Sequence, residues 1–345
     1  MKKIILTVFI VSIALIALAE SVQVGDLSYI LNDSNKTAEV THSFADNVNY
    51  AGKTSIIVPD IINYNGNVYK VIGIGESAFS DCSNIKSVSL PKSLTSIGAW
   101  AFNGCSSIES ISIPNSVTNI GTCAFQLCSS LVSIIIPNSV TEIGSNVFNH
   151  CSSLESIIIG DNVTEIGMGF LSFCTSLKVV SIGNKVTSLG MYAFRECSSL
   201  SSIALPRNIK TIKASCFFDC SSLTSIIIGD SIQNIEAGVF RNCTSLDTIY
   251  CYSKIPPTVH KYTFEDNGSN STRYEANLYV LCESLADYQA HEIWGMFKNI
   301  QCNSSENTSV YSVTSIGKTT NKLLRNGQLI IIRDGKEYNV LGTKM

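Results

Sequence analysis

Cysteine is the residue of this chain best placed to do chemistry, and it occurs thirteen times. Eight copies, Cys82, Cys105, Cys128, Cys151, Cys174, Cys197, Cys220 and Cys243, follow one another at 23-residue intervals. Zinc sites gather their thiolates in CxxC-like clusters, and evenly spaced single cysteines make a column instead. Disulfides are the usual expectation for so many cysteines in an exported protein. Cysteines at one position of successive repeats have parallel Cβ vectors, however, whereas a disulfide needs them directed at each other. The column is therefore expected to consist of buried free thiols. Cys123, Cys216, Cys251, Cys282 and Cys302 lie outside it, and Cys282 with Cys302 is the bridge expected among them.

Other chemistry-bearing residues are sparse. The histidines are His42, His150, His260 and His291, and none has metal-ligand spacing with another His, Asp or Glu. The string GIGESA at Gly73 to Ala78 imitates a dinucleotide-binding loop. Its Gly75 and Ala78 are repeat positions, recurring as IGxxA without a βαβ unit. No set of convergent nucleophile, acid, base or metal ligands emerges, so the chain is read as non-catalytic and no cofactor is expected. Charged residues are only 15% of the chain, with no basic stripe to meet phosphates, which excludes nucleic acid from the expected partners.

The elements that position these residues follow from the period. A fixed repeat of 20 to 50 residues marks a stacked array in which neighbours jointly bury an apolar face that no unit can bury alone. Three residues before each cysteine stand Phe79, Phe102, Phe125, Phe148, Leu171, Phe194, Phe217 and Phe240. Pairs such as Ile111/Ile113 and Ile134/Ile136 then alternate with other residues, the period of a strand with one face buried. The expected fold is mainly β, a solenoid of eight 23-residue repeats between N- and C-terminal β caps.

Lys2 and Lys3, the apolar run from Ile4 to Leu18 and the small Ala17 and Ala19 read as a secretory signal peptide, residues 1–19. The run is shorter than the roughly 20 residues of a membrane span, so no transmembrane span is expected in the mature chain. Loss of Lys2 and Lys3 leaves 22 basic against 27 acidic residues, a mildly acidic balance. Residues 20–73 are expected to cap the first rung, with the firmest hairpin at Tyr64 to Val71 and its turn at Asn65-Gly66. Repeats occupy 74–257, a C-terminal cap 258–302, a Ser/Thr/Asn-rich linker 303–319 and a final hairpin 320–345.

The repeat, IGAWAFNGCSSIESISIPNSVTN in its clearest copy, resembles the BspA-like leucine-rich repeat of bacterial surface proteins. Departures from that pattern are Leu171 for Phe, and Lys213 and Glu236 for Gly. The resemblance implies adhesion or host binding, and a C-terminal cap in which Trp294 and Phe297 cover the last rung. The tail resembles the sorting domain of type-nine secretion clients. That resemblance rests on Asn326, Gly327, Gln328, Arg333, Gly335, Lys336, Tyr338, Asn339 and Gly342. It implies engagement of the export machinery and a place outside the cell, secreted or on the outer membrane surface of a Gram-negative bacterium.

The outward strand positions are the candidate binding surface. Most carry Ser or Thr, whereas Val132, Ile135, Ile158 and Val179 are expected to form one apolar cluster, flanked by Glu109, Glu155 and Lys178. An apolar patch with a polar rim suits an extracellular protein or glycan partner. A carbohydrate-binding accessory role is the alternative reading.

Overall fold

In the computed structural model, residues 21–42, 50, 52–264 and 274–303 are described, together with three C-terminal strands, Asn321–Arg325, Gln328–Arg333 and Lys336–Tyr338. The expected signal peptide, the linker beyond Asn303, and Asn326, Gly327, Gly335, Asn339 and Gly342 of the tail lie outside the described residues.

Each repeat makes one turn of a β-solenoid. Parallel pairing joins residues 23 apart, as in Ser110 to Ser133 to Ser156 and Ile135 to Ile158. This register explains the period, since only copies of equal length bring the same side chains above one another. The strands after the cysteines form a long row from Ser55–Ile57 to Asn299–Asn303, and two-residue strands such as Asn119–Ile120 form a short row on the other side. Each row is interrupted once, the long row between Val179–Ser181 and Ser202–Ala204, the short row between Glu142–Ile143 and Glu165–Ile166. The interruptions fall at different rungs, so one ladder is continuous wherever the other is broken.

Between the rows runs a stack of rings. Phe79, Phe102, Phe125 and Phe148 lie nearly parallel at 5.3 to 5.5 Å, and Phe194, Phe217 and Phe240 repeat the arrangement. Tyr50 extends the stack at one end and Phe264 at the other; the sequence period had shown neither. Leu171 sits at the phenylalanine position, and its neighbour Phe170 takes a position that is Ala, Val or Cys in the other rungs. Both are fully buried, and the Phe170 ring stands edge-on to Phe148 at 89°. Two adjacent columns have exchanged volume, which a tightly packed core tolerates far better than a lost side chain.

A glycine column holds adjacent turns close. A Cβ on Gly121 would stand 2.4 Å from the backbone nitrogen of Ala99. Where the column reads Glu236 instead, its carboxylate accepts a hydrogen bond from the Ala214 amide at 2.9 Å.

At the start, Ile61–Tyr64 and Asn67–Ile74 form the expected hairpin, with Asn65 and Gly66 both at positive φ. At the end, Asn277–Leu281 and Asn299–Asn303 add two parallel strands, and Cys282 and Cys302 are joined in a disulfide. Trp294 is fully buried there and donates its indole N–H to Pro257 O at 2.9 Å. Its ring and that of Phe297 pack on Phe264, so the last ring of the stack is covered.

Candidate functional site

The cysteine column is structural. Its members are buried free thiols. Each from Cys105 to Cys243 donates its S–H to the carbonyl oxygen of a residue 26 positions earlier, as in Cys151 to Phe125 O at 3.1 Å. The thiol thus ties each rung to the one before. Burial pushes the Cys82 thiol up to about 11, and Cys128, Cys151 and Cys197 are raised well above their ordinary value by burial in the same way. A thiol that keeps its proton is neither a nucleophile nor a metal ligand.

Histidine is likewise in structural use. His291 Nδ1 accepts from the Ile293 and Trp294 amides, and His260 Nδ1 from the Tyr262 amide. Among the described residues no group of three His, Cys, Asp or Glu is placed to hold a metal. Gly73 and Ile74 lie in a strand paired with Ser96–Ile97, and turn residues rather than a helix follow. The apparent dinucleotide loop is therefore a rung of the solenoid.

The strand-face patch is only partly as expected. Val132 and Ile135 are exposed, Ile135 at 46%, and Val179 is half-buried. Ile158 is 5% exposed, which corrects its expected place on the open surface. Within the ladder Ile158 is equivalent to Ile135, yet it is far less exposed. Glu109, Val132, Glu155 and Lys178 are successive residues of one column, and the amides of the last three donate to the carbonyl oxygen one rung before. Glu155 and Lys178 pair at 3.1 Å, both side chains about half exposed. Such a pair is worth little on its own.

A second surface, at the corner opposite the strand ends, was missed by reading the sequence along the strands. Every turn from Ser77 to Asn242 places two residues at positive φ, one five positions before the cysteine and one immediately before it. Gly, Asn, Asp and Ser fill many of these places. Trp100, Leu127, His150, Phe173 and Tyr192 do not fit that preference, yet all have φ between 53° and 61°. Left-handed backbone costs a bulky residue of order 1–3 kcal/mol.

Three of these side chains, His150, Phe173 and Tyr192, gather on the surface around Arg195. The His150 and Phe173 rings stack at 4.3 Å. The Arg195 guanidinium lies over Phe173, Phe218 and Tyr192 at 5.1, 5.3 and 5.6 Å, and Arg241 lies over Phe218. Glu196 pairs with Arg195 at 3.1 Å. Exposed Met168 and Met191 border it. Beside it Thr175, Glu196, Ser198, Asp219 and Ser221 line an open cleft of about 330 Å³. Flat rings, a held guanidinium and pliable thioethers are groups suited to molecular recognition. The signal was present in the sequence as columns, in which Leu127, His150 and Phe173 interrupt a series of Asp, Gly and Asn.

Stacked parallel turns with an in-register core define a leucine-rich-repeat solenoid. The sequence pattern of the BspA type leucine rich repeat region matches residues 62–178 and 165–289 in six copies, more than half of the chain. The chain belongs to this family. Among solved structures it is similar to a leucine rich cell surface protein from Faecalibacterium prausnitzii, at 21% identity and a TM-score of 0.56, over 84% of this chain and 96% of that one. A leucine-rich repeat protein from Bacteroides ovatus is 20% identical over 75% of this chain and 84% of its own, with a TM-score of 0.47. These likenesses are of fold. No curated protein sequence matches the chain.

Proposed function

We propose that this is an exported, non-catalytic protein that binds a protein partner outside the cell through the corner surface around Arg195. The observation that carries the reading is bulky side chains kept at backbone positions that disfavour them. Strain retained on an exposed surface points to use of that surface, and rings with arginine are the residues that dominate binding interfaces. The signal-peptide pattern of residues 1–19 and membership of a family with a cell surface protein among its structural neighbours support export. The tail, whose strands pair antiparallel as a small separate sheet, is read as the type-nine sorting element that directs the chain to the outer surface. Val132 and Ile135, with Glu109 at the rim, are proposed as a lesser contact area on the strand face.

The test is capture of extracellular proteins by the immobilised mature chain, with and without Phe173→Asn and Tyr192→Asn. Asn occupies equivalent positions at Asn242 and Asn146, so both variants are expected to fold and to lose about tenfold in capture. Undiminished capture would remove this surface from consideration.

A glycan partner is the second reading, favoured by exposed Trp100 and Tyr192 with the amide side chains of Asn103, Gln126 and Asn149 in the adjoining column. Retardation of the mature chain in gels containing neutral polysaccharide, relieved by Trp100→Ser, would select it.

A further inference from the structure

Three strands of the long row have the same sequence, SIII: Ser133–Ile136, Ser156–Ile159 and Ser225–Ile228. All three are parallel rungs in the same register, flanked on both sides. In the first and third, the inward isoleucines are buried and the outward residues are open or half-open. In the second, all four residues are buried. The ladder neighbours of Ile158 are Ile135 and a small serine, Ser181, so the extra cover points to another part of the chain lying over this rung.

One distant part of the chain comes close to the neighbouring rung. The backbone of Gln328–Arg333, the middle strand of the C-terminal sheet, comes within 8 Å of Val179–Ser181, the rung next to Ser156–Ile159. Its sequence, QLIIIR, is apolar through the middle. A single three-stranded layer must bury an apolar face against something else. The Ser156 side chain is buried along with Ile158. The reach is sufficient. From Asn299–Asn303 back to Val179–Ser181 is five rungs of the long row, about 24 Å at strand spacing. The 17 residues between Asn303 and Asn321 can span about twice that distance.

We propose that the C-terminal sheet docks on the strand face over Ile158 and Val179 and keeps that part of the face closed until the tail is released. The solenoid is then its own tail's first partner. Cutting the segment between residues 304 and 320, or capturing the tail elsewhere, opens an apolar patch continuous with Val132 and Ile135. This docking stands apart from the binding role of the corner surface, because none of the corner residues takes part.

The test uses the full mature chain with a specific protease site placed within 304–320. After cutting, the tail is expected to co-elute with the solenoid in size exclusion. Ile158→Ser is expected to weaken retention about tenfold, the loss of one buried isoleucine. The equivalent position is Ser181 or Ser112 in other rungs, so the variant should melt like the parent. Ile135→Ser, the same change on an open rung, should leave retention unaltered. Hydroxyl-radical labelling of the uncut chain should mark Ile135 and spare Ile158. Elution of the tail as a free peptide, equal retention in the two variants, or equal labelling of the two isoleucines would overturn the proposal.

Discussion

Cys151 and His150 are chain neighbours with opposite surroundings, and their columns differ in the same way along the rod. The cysteine column is invariant over eight rungs, buried, and tied by S–H donation to the rung before. The column one residue earlier reads Asp81, Gly104, Leu127, His150, Phe173, Glu196, Asp219 and Asn242, all at positive φ. The first column is uniform because every member meets the same walls. In the second, the backbone is fixed while the side chain is left open to choice. Uniformity therefore marks what holds the solenoid together, and variation at a constrained backbone marks what the surface is for.

The largest expected effect is alkaline, and it tests the buried column. Cys105, Cys128, Cys151, Cys174, Cys197 and Cys220 are raised from 9.0 by burial in the folded state, as is Cys82 to about 11. Above pH 9 the unfolded chain releases these protons and the folded chain retains them, so the unfolded state binds fewer protons and stability falls as pH rises. Below about 9 the contribution is intact. Each thiol costs about 1.4 kcal/mol per pH unit above that point, and with seven acting together the array is expected to unfold near pH 10. Denaturant titrations at pH 7, 9 and 10 check this. A flat profile would mean that the thiols ionise within the fold and that the column is less sealed than its geometry indicates.

Next in size is the ring stack that the same column flanks. Phe125 is fully buried between Phe102 and Phe148. Phe125→Ala should cost about 3–5 kcal/mol by loss of the ring and the cavity left behind, read as a lower midpoint in chemical unfolding. Because each rung touches only its neighbours, the loss should spread to adjacent rungs first, visible as faster amide exchange in Ser110–Ile111 and Ser133–Ile136. A loss under 1 kcal/mol would show that the stack closes up around missing volume, as Phe170 and Leu171 did by exchange.

How much of this could be read in advance follows from what each feature depends on. The register, the buried thiols and the Cys282–Cys302 bridge depend on spacing within one chain segment, and spacing is what a sequence displays. Phe170 could not be read, because its compensation with Leu171 occurs between columns only when turns are stacked. Ile158 could not be read either: its cover comes from residues some 170 positions later, and no local pattern carries that. The corner was hidden differently, since positive φ is a property of the turn and is invisible until the backbone is traced. Once it is known, Leu127 and Phe173 become the odd residues of their series.

The smallest effect is the sharpest test of the contrast between columns, because its sign is unusual. Leu127 is 45% exposed at φ 61° and makes none of the ring contacts of His150 or Phe173. Replacing a leucine with a polar residue ordinarily lowers stability by removing apolar burial. Here half the side chain is already in water, and asparagine enters left-handed backbone far more readily than leucine. Leu127→Asn should therefore raise stability by about 1 kcal/mol, measured as a higher unfolding midpoint at unchanged denaturant dependence. An increase would mean that leucine is kept at that corner despite the fold. A decrease of similar size would mean that Leu127 packs as a core residue does, and the division between structural and surface columns would have to be drawn one residue further out.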